Sequence, residues 1–232
     1  MSLVGWIALL WCWPLALAIL EVEIEGAYGW AERLPTWFRS RGPIGRLWGV
    51  ISGGRPATGY HVAMIVMLLL AIHYPFVVGR EWSVASELGV IATYLAWVIA
   101  WDYLWFVVNP YYGLRRFRKG NVWWYPGPWV ARVPADYLLA IGASIAVAGA
   151  AVPLGGGPGV LVDHLLLVVG LIVLMPLGVA VAPLYRRAYV ALRRPGTDDR
   201  PNVGITPPPA GDADVFPWVS RERAEGSSAD DT

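Results

Sequence analysis

Residues 160–184 read VLVDHLLLVVGLIVLMPLGVAVAPL: twenty-five positions in which Asp163 and His164 are the only ionisable side chains. At 1.5 Å per residue such a helix exceeds the roughly 30 Å hydrocarbon thickness of a bilayer, and a run of this length with so little charge reads as a transmembrane helix. Four more segments share that character: residues 3–20, 60–79, 86–108 and 135–154. The chain therefore reads as all-α, a polytopic transmembrane helical bundle of about five spans over residues 1–194.

Whole-chain composition agrees. Of 232 residues 56% are hydrophobic and only 15% charged, and the mean hydropathy is +0.49. A soluble domain needs more charge to cover its surface. Fourteen Trp residues suit the membrane–water interface, where an indole reaches both phases. A net charge of +1 gives no basic field for nucleic acid, and no nucleic-acid partner is expected. One cysteine, Cys12, makes neither a disulfide nor a zinc site. The first segment reads as a retained helix rather than a signal peptide. No Lys or Arg precedes Arg33, and Glu21-Val22-Glu23 stands where a small-residue cleavage site belongs.

Charge orients the bundle. With five spans, seventeen of the eighteen Lys and Arg residues fall on one side, and Arg80 stands alone opposite. The positive-inside rule then places the N-terminus outside and the C-terminus in the cytoplasm of a cell (inner) membrane. Residues 27–55 carry Trp30, Leu34 and Trp37, then Ile44, Leu47, Trp48 and Ile51, at helical spacing with Arg between them. This pattern predicts short helices in the interface plane, divided by Pro35 and Pro43. Residues 121–134 are too broken to span and too aromatic to leave the interface. Residues 195–232, rich in Pro, Gly, Ser and Asp, read as a disordered cytoplasmic tail in which Phe216-Pro-Trp-Val219 is the only apolar patch.

Motifs of soluble and membrane enzymes are missing. Three His residues cannot build multi-histidine boxes, and there is no His-Glu-x-x-His, no Gly-x-Ser-x-Gly and no phosphate-binding glycine loop. Chemistry must instead come from ionisable groups near span ends, which are costly in lipid and invite a functional reading. On the cytoplasmic side these are Glu21, Glu23, Glu25, His61, Asp102 and Asp136; on the outer side, His73, Glu87, Asp163 and His164. His61 and His73 are about 18 Å apart along one helix, so they serve separate clusters.

The candidate site is cytoplasmic. Glu21, Glu23, Glu25, His61 and Asp102 form a carboxylate–imidazole set suited to a divalent metal or a proton-transfer pair, with Asp102 and His61 as the catalytic candidates. If the first helix continues, Glu21 and Glu25 share a face and Glu23 points away. If Glu21–Glu25 is extended, all three line one side. Arg115, Arg116, Arg118 and Lys119 form a basic run that sets topology and suits an anionic lipid headgroup. The expected activity is on a lipid or other hydrophobic molecule. The rival reading is a non-catalytic scaffold or complex subunit in which the acids sit among waters and headgroups. A transporter ranks third, because no internal repeat or pair of broken helices is visible.

Residues 23–37, EIEGAYGWAERLPTW, and 102–114, DYLWFVVNPYYGL, resemble motifs of a family of small, uncharacterised prokaryotic membrane proteins. The resemblance covers about the first 130 residues. It implies a polytopic membrane fold with its shared features on the cytoplasmic side, and no particular activity.

Overall fold

The structure is a computed structural model that describes residues 3–26 and 28–193, with backbone alone at Leu3. Residues 195–232, and with them the expectation of a disordered tail, lie outside the described residues. The elements are α1 (Leu3–Glu25), β1 (Phe38–Arg39), α2 (Gly42–Ile51), β2 (Ala57–Thr58), α3 (Gly59–Val77), α4 (Val84–Val108), α5 (Gly113–Arg116), β3 (Trp129–Val130), β4 (Val133–Pro134), α6 (Ala135–Ala151) and α7 (Gly157–Leu192).

Four helical stretches are long and apolar enough to cross a membrane. They are α1, α3, α4 and the joined stretch Ala135–Leu192. That last stretch is not one rod. At 58 residues a straight helix would run to about 87 Å, nearly three bilayer cores. A π-type turn at Val152–Gly156 breaks it, with non-helical backbone at Leu154 and at Gly155, whose φ of +97° favours glycine. Ser144 and His164, each ten residues from Leu154, meet at 3.1 Å, so α6 and α7 pack antiparallel.

Helix α4 is the centre of the bundle and packs against α1, α6 and α7. It starts on a capping box between Ser83 and Ser86. Its C-terminal half buries Trp97, Trp101, Leu104, Trp105 and Phe106. Helix α1 continues five residues past the expected end at Leu20, through Glu25, and the Gly26 amide closes it on Val22 O at 2.8 Å. Pro14 within α1 has no N–H for the Leu10 carbonyl. The indole of Trp97 donates to that carbonyl instead, at 2.8 Å, locking α4 to α1. Apolar side chains such as Leu70, Leu139 and Val173 face outward, as lipid-facing positions do, and so does Cys12.

The two long connections differ from the sequence expectation. Trp30, Leu34 and Trp37 do not share a helix face: the backbone there is turns, and Trp30 and Ala31 adopt left-handed φ of 56° and 55°. Pro35 and the strand pairing of Phe38 with Thr58 hold that segment irregular. Only the second set is helical, in α2, which carries Pro43 in its first turn and leaves Ile44, Leu47, Val50 and Ile51 exposed on its surface. Residues 121–134 contribute side chains to the core as well. Val122, Trp124 and Tyr125 are buried, with Trp124 stacked on Phe106 at 5.8 Å and edge-on to Trp105.

Candidate metal centre

The last turns of α1 put Glu21 and Glu25 on one face, four residues apart, while Ala18 and Val22 anchor the same helix in the core. The β1–β2 ribbon brings the start of α3 to that face. Thr58 is the N-cap of α3, and its hydroxyl accepts from the His61 amide at 3.1 Å. One candidate ligand atom each from Glu21, Glu25 and His61 then lie within 4.8 Å of one another. All three residues are buried, at 8%, 6% and 8% exposure.

The surroundings hold these groups still. Thr58 Oγ1 also lies 2.7 Å from His61 Nδ1, which leaves Nε2 as the ring nitrogen open to the glutamates. Trp30 stacks on the imidazole at 4.1 Å and Tyr60 meets it edge-on. The Trp30 indole is itself tied to Pro56 O at 3.0 Å. Glu25 Oε1 accepts from the Ala31 amide at 2.6 Å. Trp101 stands beside Glu21, yet its buried Nε1 is not in full hydrogen-bond geometry with any protein acceptor. The buried Tyr60 hydroxyl, within electrostatic reach of both glutamates, is likewise without a partner among the described residues.

Neither glutamate has a Lys or Arg within ion-pair distance among the described residues. Two buried carboxylates this close cannot both carry charge uncompensated. A cation or a shared proton must sit with them. Two carboxylate oxygens and one imidazole nitrogen suit borderline divalent metals such as zinc, manganese or iron, and three protein ligands leave a coordination position open.

The other expected site residues fall elsewhere. Glu23 is exposed on the far side of α1, where its carboxylate accepts from the Tyr185 hydroxyl at 2.8 Å. The helical geometry of α1 sends it there. Asp102 is partly buried and is held by two phenols, Tyr125 at 2.9 Å and Tyr137. It acts on Glu21 and Glu25 through its charge, while one of its oxygens, Oδ2, accepts from both tyrosines. Burial and, after it, the Asp102 carboxylate push the Tyr125 phenol well above its ordinary range. The Arg55 guanidinium covers Tyr125 at 4.5 Å and Trp30 at 4.9 Å and pairs with Asp136 at 3.2 Å. Arg115, Arg116, Arg118 and Lys119 are all exposed on α5 and the turn after it.

Sequence reasoning passed over Thr58, Trp30, Arg55 and Arg186. The Thr58-x-x-His61 spacing is a readable N-cap signal; the contributions of Trp30 and Arg55 come from loop geometry. On the opposite side of the bundle, both ring nitrogens of His73 face acceptors: Nδ1 the Leu69 carbonyl at 2.6 Å, Nε2 the Glu87 carboxylate at 2.8 Å. Only an imidazolium donates to both.

Fold and site together define a helical protein with the make-up of a membrane-spanning bundle, carrying a buried carboxylate–histidine cluster at the meeting of α1 and α3. Comparison with protein-family models, with curated proteins and with solved structures gave no match.

Proposed function

We propose that this is a five-span protein of the cell membrane, N-terminus outside and C-terminus cytoplasmic. In this reading it binds one divalent metal through Glu21, Glu25 and His61 just beneath the cytoplasmic face and uses it on a lipid or other hydrophobic substrate. The observation that carries the reading is the convergence of three buried ligand atoms within 4.8 Å, without a cationic side chain to neutralise them. The break at Leu154–Gly155 supports counting α6 and α7 as two crossings, and five crossings put seventeen of eighteen Lys and Arg residues on one side. Asp102 and its tyrosines form the layer next to the metal and would tune it electrostatically or pass a proton. The exposed cations Arg115, Arg116, Arg118 and Lys119 would rest against anionic headgroups.

One observation favours the rival, a non-catalytic scaffold: Glu25 and His61 also pin the 28–37 loop through Ala31 and Trp30. Glu25→Gln separates the two. The amide oxygen still accepts from Ala31, so a scaffold keeps its fold and stability. A metal ligand is weakened. Thermal unfolding of the full chain in detergent should rise on adding zinc or manganese to wild type, by about 2.7 kcal/mol at a hundredfold excess over Kd, and not in Glu25→Gln. An equal response in both proteins would refute the metal reading.

A further inference from the structure

Arg186 lies on α7 two residues beyond the apolar run that ends at Leu184, the depth at which lipid phosphates sit in the proposed topology. It is part of the wall of a cavity of about 470 Å³ that also includes Val107, Tyr112, Gly113, Arg115 and Pro183. Its guanidinium is fixed. Nε donates to Val108 O at 3.3 Å and one terminal nitrogen to Val107 O, the last carbonyls of α4, which lack helical donors. Gly113, at φ +59°, lets the guanidinium lie across its backbone; a Cβ there would come within 3.3 Å of it.

These carbonyls satisfy donors but bring no full charge. Among the described residues no carboxylate lies within ion-pair distance of Arg186 or of Arg115. A half-buried guanidinium with its second terminal nitrogen still available, a second cation on the same wall and an apolar floor together call for an anion with a greasy neighbour. We infer that this cavity binds a phosphate-bearing anion, with Arg186 as the fixed clamp and Arg115 as the mobile second cation. The apolar wall and headgroup depth favour a phospholipid as the source of that phosphate. Tyr112 of the cavity wall lies within electrostatic reach of Glu25, one of the proposed metal ligands. The inference thus rests on the proposed cytoplasmic site and names the class of molecule presented to it.

The test is native mass spectrometry of the full chain in detergent, titrated with phosphatidylglycerol and with zwitterionic phosphatidylcholine. Wild type should retain one phosphatidylglycerol in preference to phosphatidylcholine. Arg186→Gln and, separately, Arg115→Gln should each weaken that binding about tenfold, as loss of a charge-assisted contact does. The Arg115 variant guards against a folding defect, because Arg115 is exposed and caps nothing. Arg41→Gln with Arg46→Gln, exposed cations away from this cavity, should change binding less than twofold. Competition by millimolar inorganic phosphate would assign the clamp to a free phosphate, and resistance to it would assign the clamp to the lipid. Equal retention of the two lipids, or equal losses in the Arg186, Arg115 and Arg41/Arg46 variants, would overturn the inference. Metal affinity should be unchanged in Arg115→Gln, so failure here is distinct from failure of the metal centre.

Discussion

The Thr58 hydroxyl sits 2.7 Å from His61 Nδ1 while accepting from the His61 amide. One side chain thus starts α3 and sets the tilt and tautomer of the imidazole. Thr58→Val keeps the shape and removes both contacts. Metal affinity should fall about 10- to 100-fold, the usual effect of losing a ligand's outer hydrogen bond, and α3 should lose about 1 kcal/mol of capping. Thr58→Ser should restore both. Calorimetric titration of the two variants checks this; a Val variant that binds as wild type does would show that the hydroxyl orients nothing.

The Trp97–Leu10 hydrogen bond replaces the donor that Pro14 denies to α1. Trp97→Phe keeps an aromatic ring and leaves the Leu10 carbonyl bare in an apolar setting. The variant should be destabilised by about 1–2 kcal/mol. Pairing it with Pro14→Ala, which returns a backbone donor, should recover part of that loss in thermal unfolding. Independent, additive effects would mean that the indole packs without serving the carbonyl.

Topology follows from Arg and Lys placement. A periplasm-active reporter fused after Arg194 should be silent, and one inserted between Gly79 and Trp82 should be active. Activity at both positions would require an even number of crossings and would undo the cytoplasmic assignment of the metal cluster.

Tyr112 is pushed up to about 12 by burial, with the charges of Glu32 and Glu25 adding to it. An unfolded phenol gives up its proton near pH 10. Between roughly 10 and 12 the unfolded state therefore binds fewer protons than the folded one, so stability is intact below that window and falls as pH rises through it. Near-ultraviolet circular dichroism should hold to about pH 10 and then decline, more steeply in wild type than in Tyr112→Phe. Coincident curves would remove Tyr112 as a cause.

Much of this architecture is legible in the residues. The apolar runs around 60–79, 86–108 and 135–154 become α3, α4 and α6 with no end shifted by more than three residues, because length and hydropathy dominate in a lipid-facing helix. Glu21, Glu23 and Glu25 were readable as helix or extended chain; the helix continues since Ala18 and Val22 still pack on the core there, and this decides which two carboxylates meet. His61 lies beside Glu21 and Glu25, a grouping that its place at the start of an apolar run makes readable. Asp102 lies within electrostatic reach of the same glutamates, yet its partners Tyr125 and Tyr137 come from a loop and from α6, and no periodicity foretells that pairing. Arg186 escaped notice because seven cations follow the last span and only the C-terminus of α4 singles one out. The burial of Trp124 escaped notice for a related reason: aromatic residues suit an interface and a core equally well, and Phe106 and Trp105 supply the core.

The most direct test of the metal centre is elemental analysis of the full-length protein, purified in detergent without chelators and compared with Glu21→Gln, Glu25→Gln and His61→Gln. The account predicts about one zinc, manganese or iron per chain in wild type, and a sharp drop in each variant while all four elute as folded protein of the same size. Glu23→Gln should keep the metal, since Glu23 lies on the far face of α1 with Tyr185. Wild-type protein that stays metal-free after incubation with each of these ions, or metal that survives in all three variants, would contradict the account.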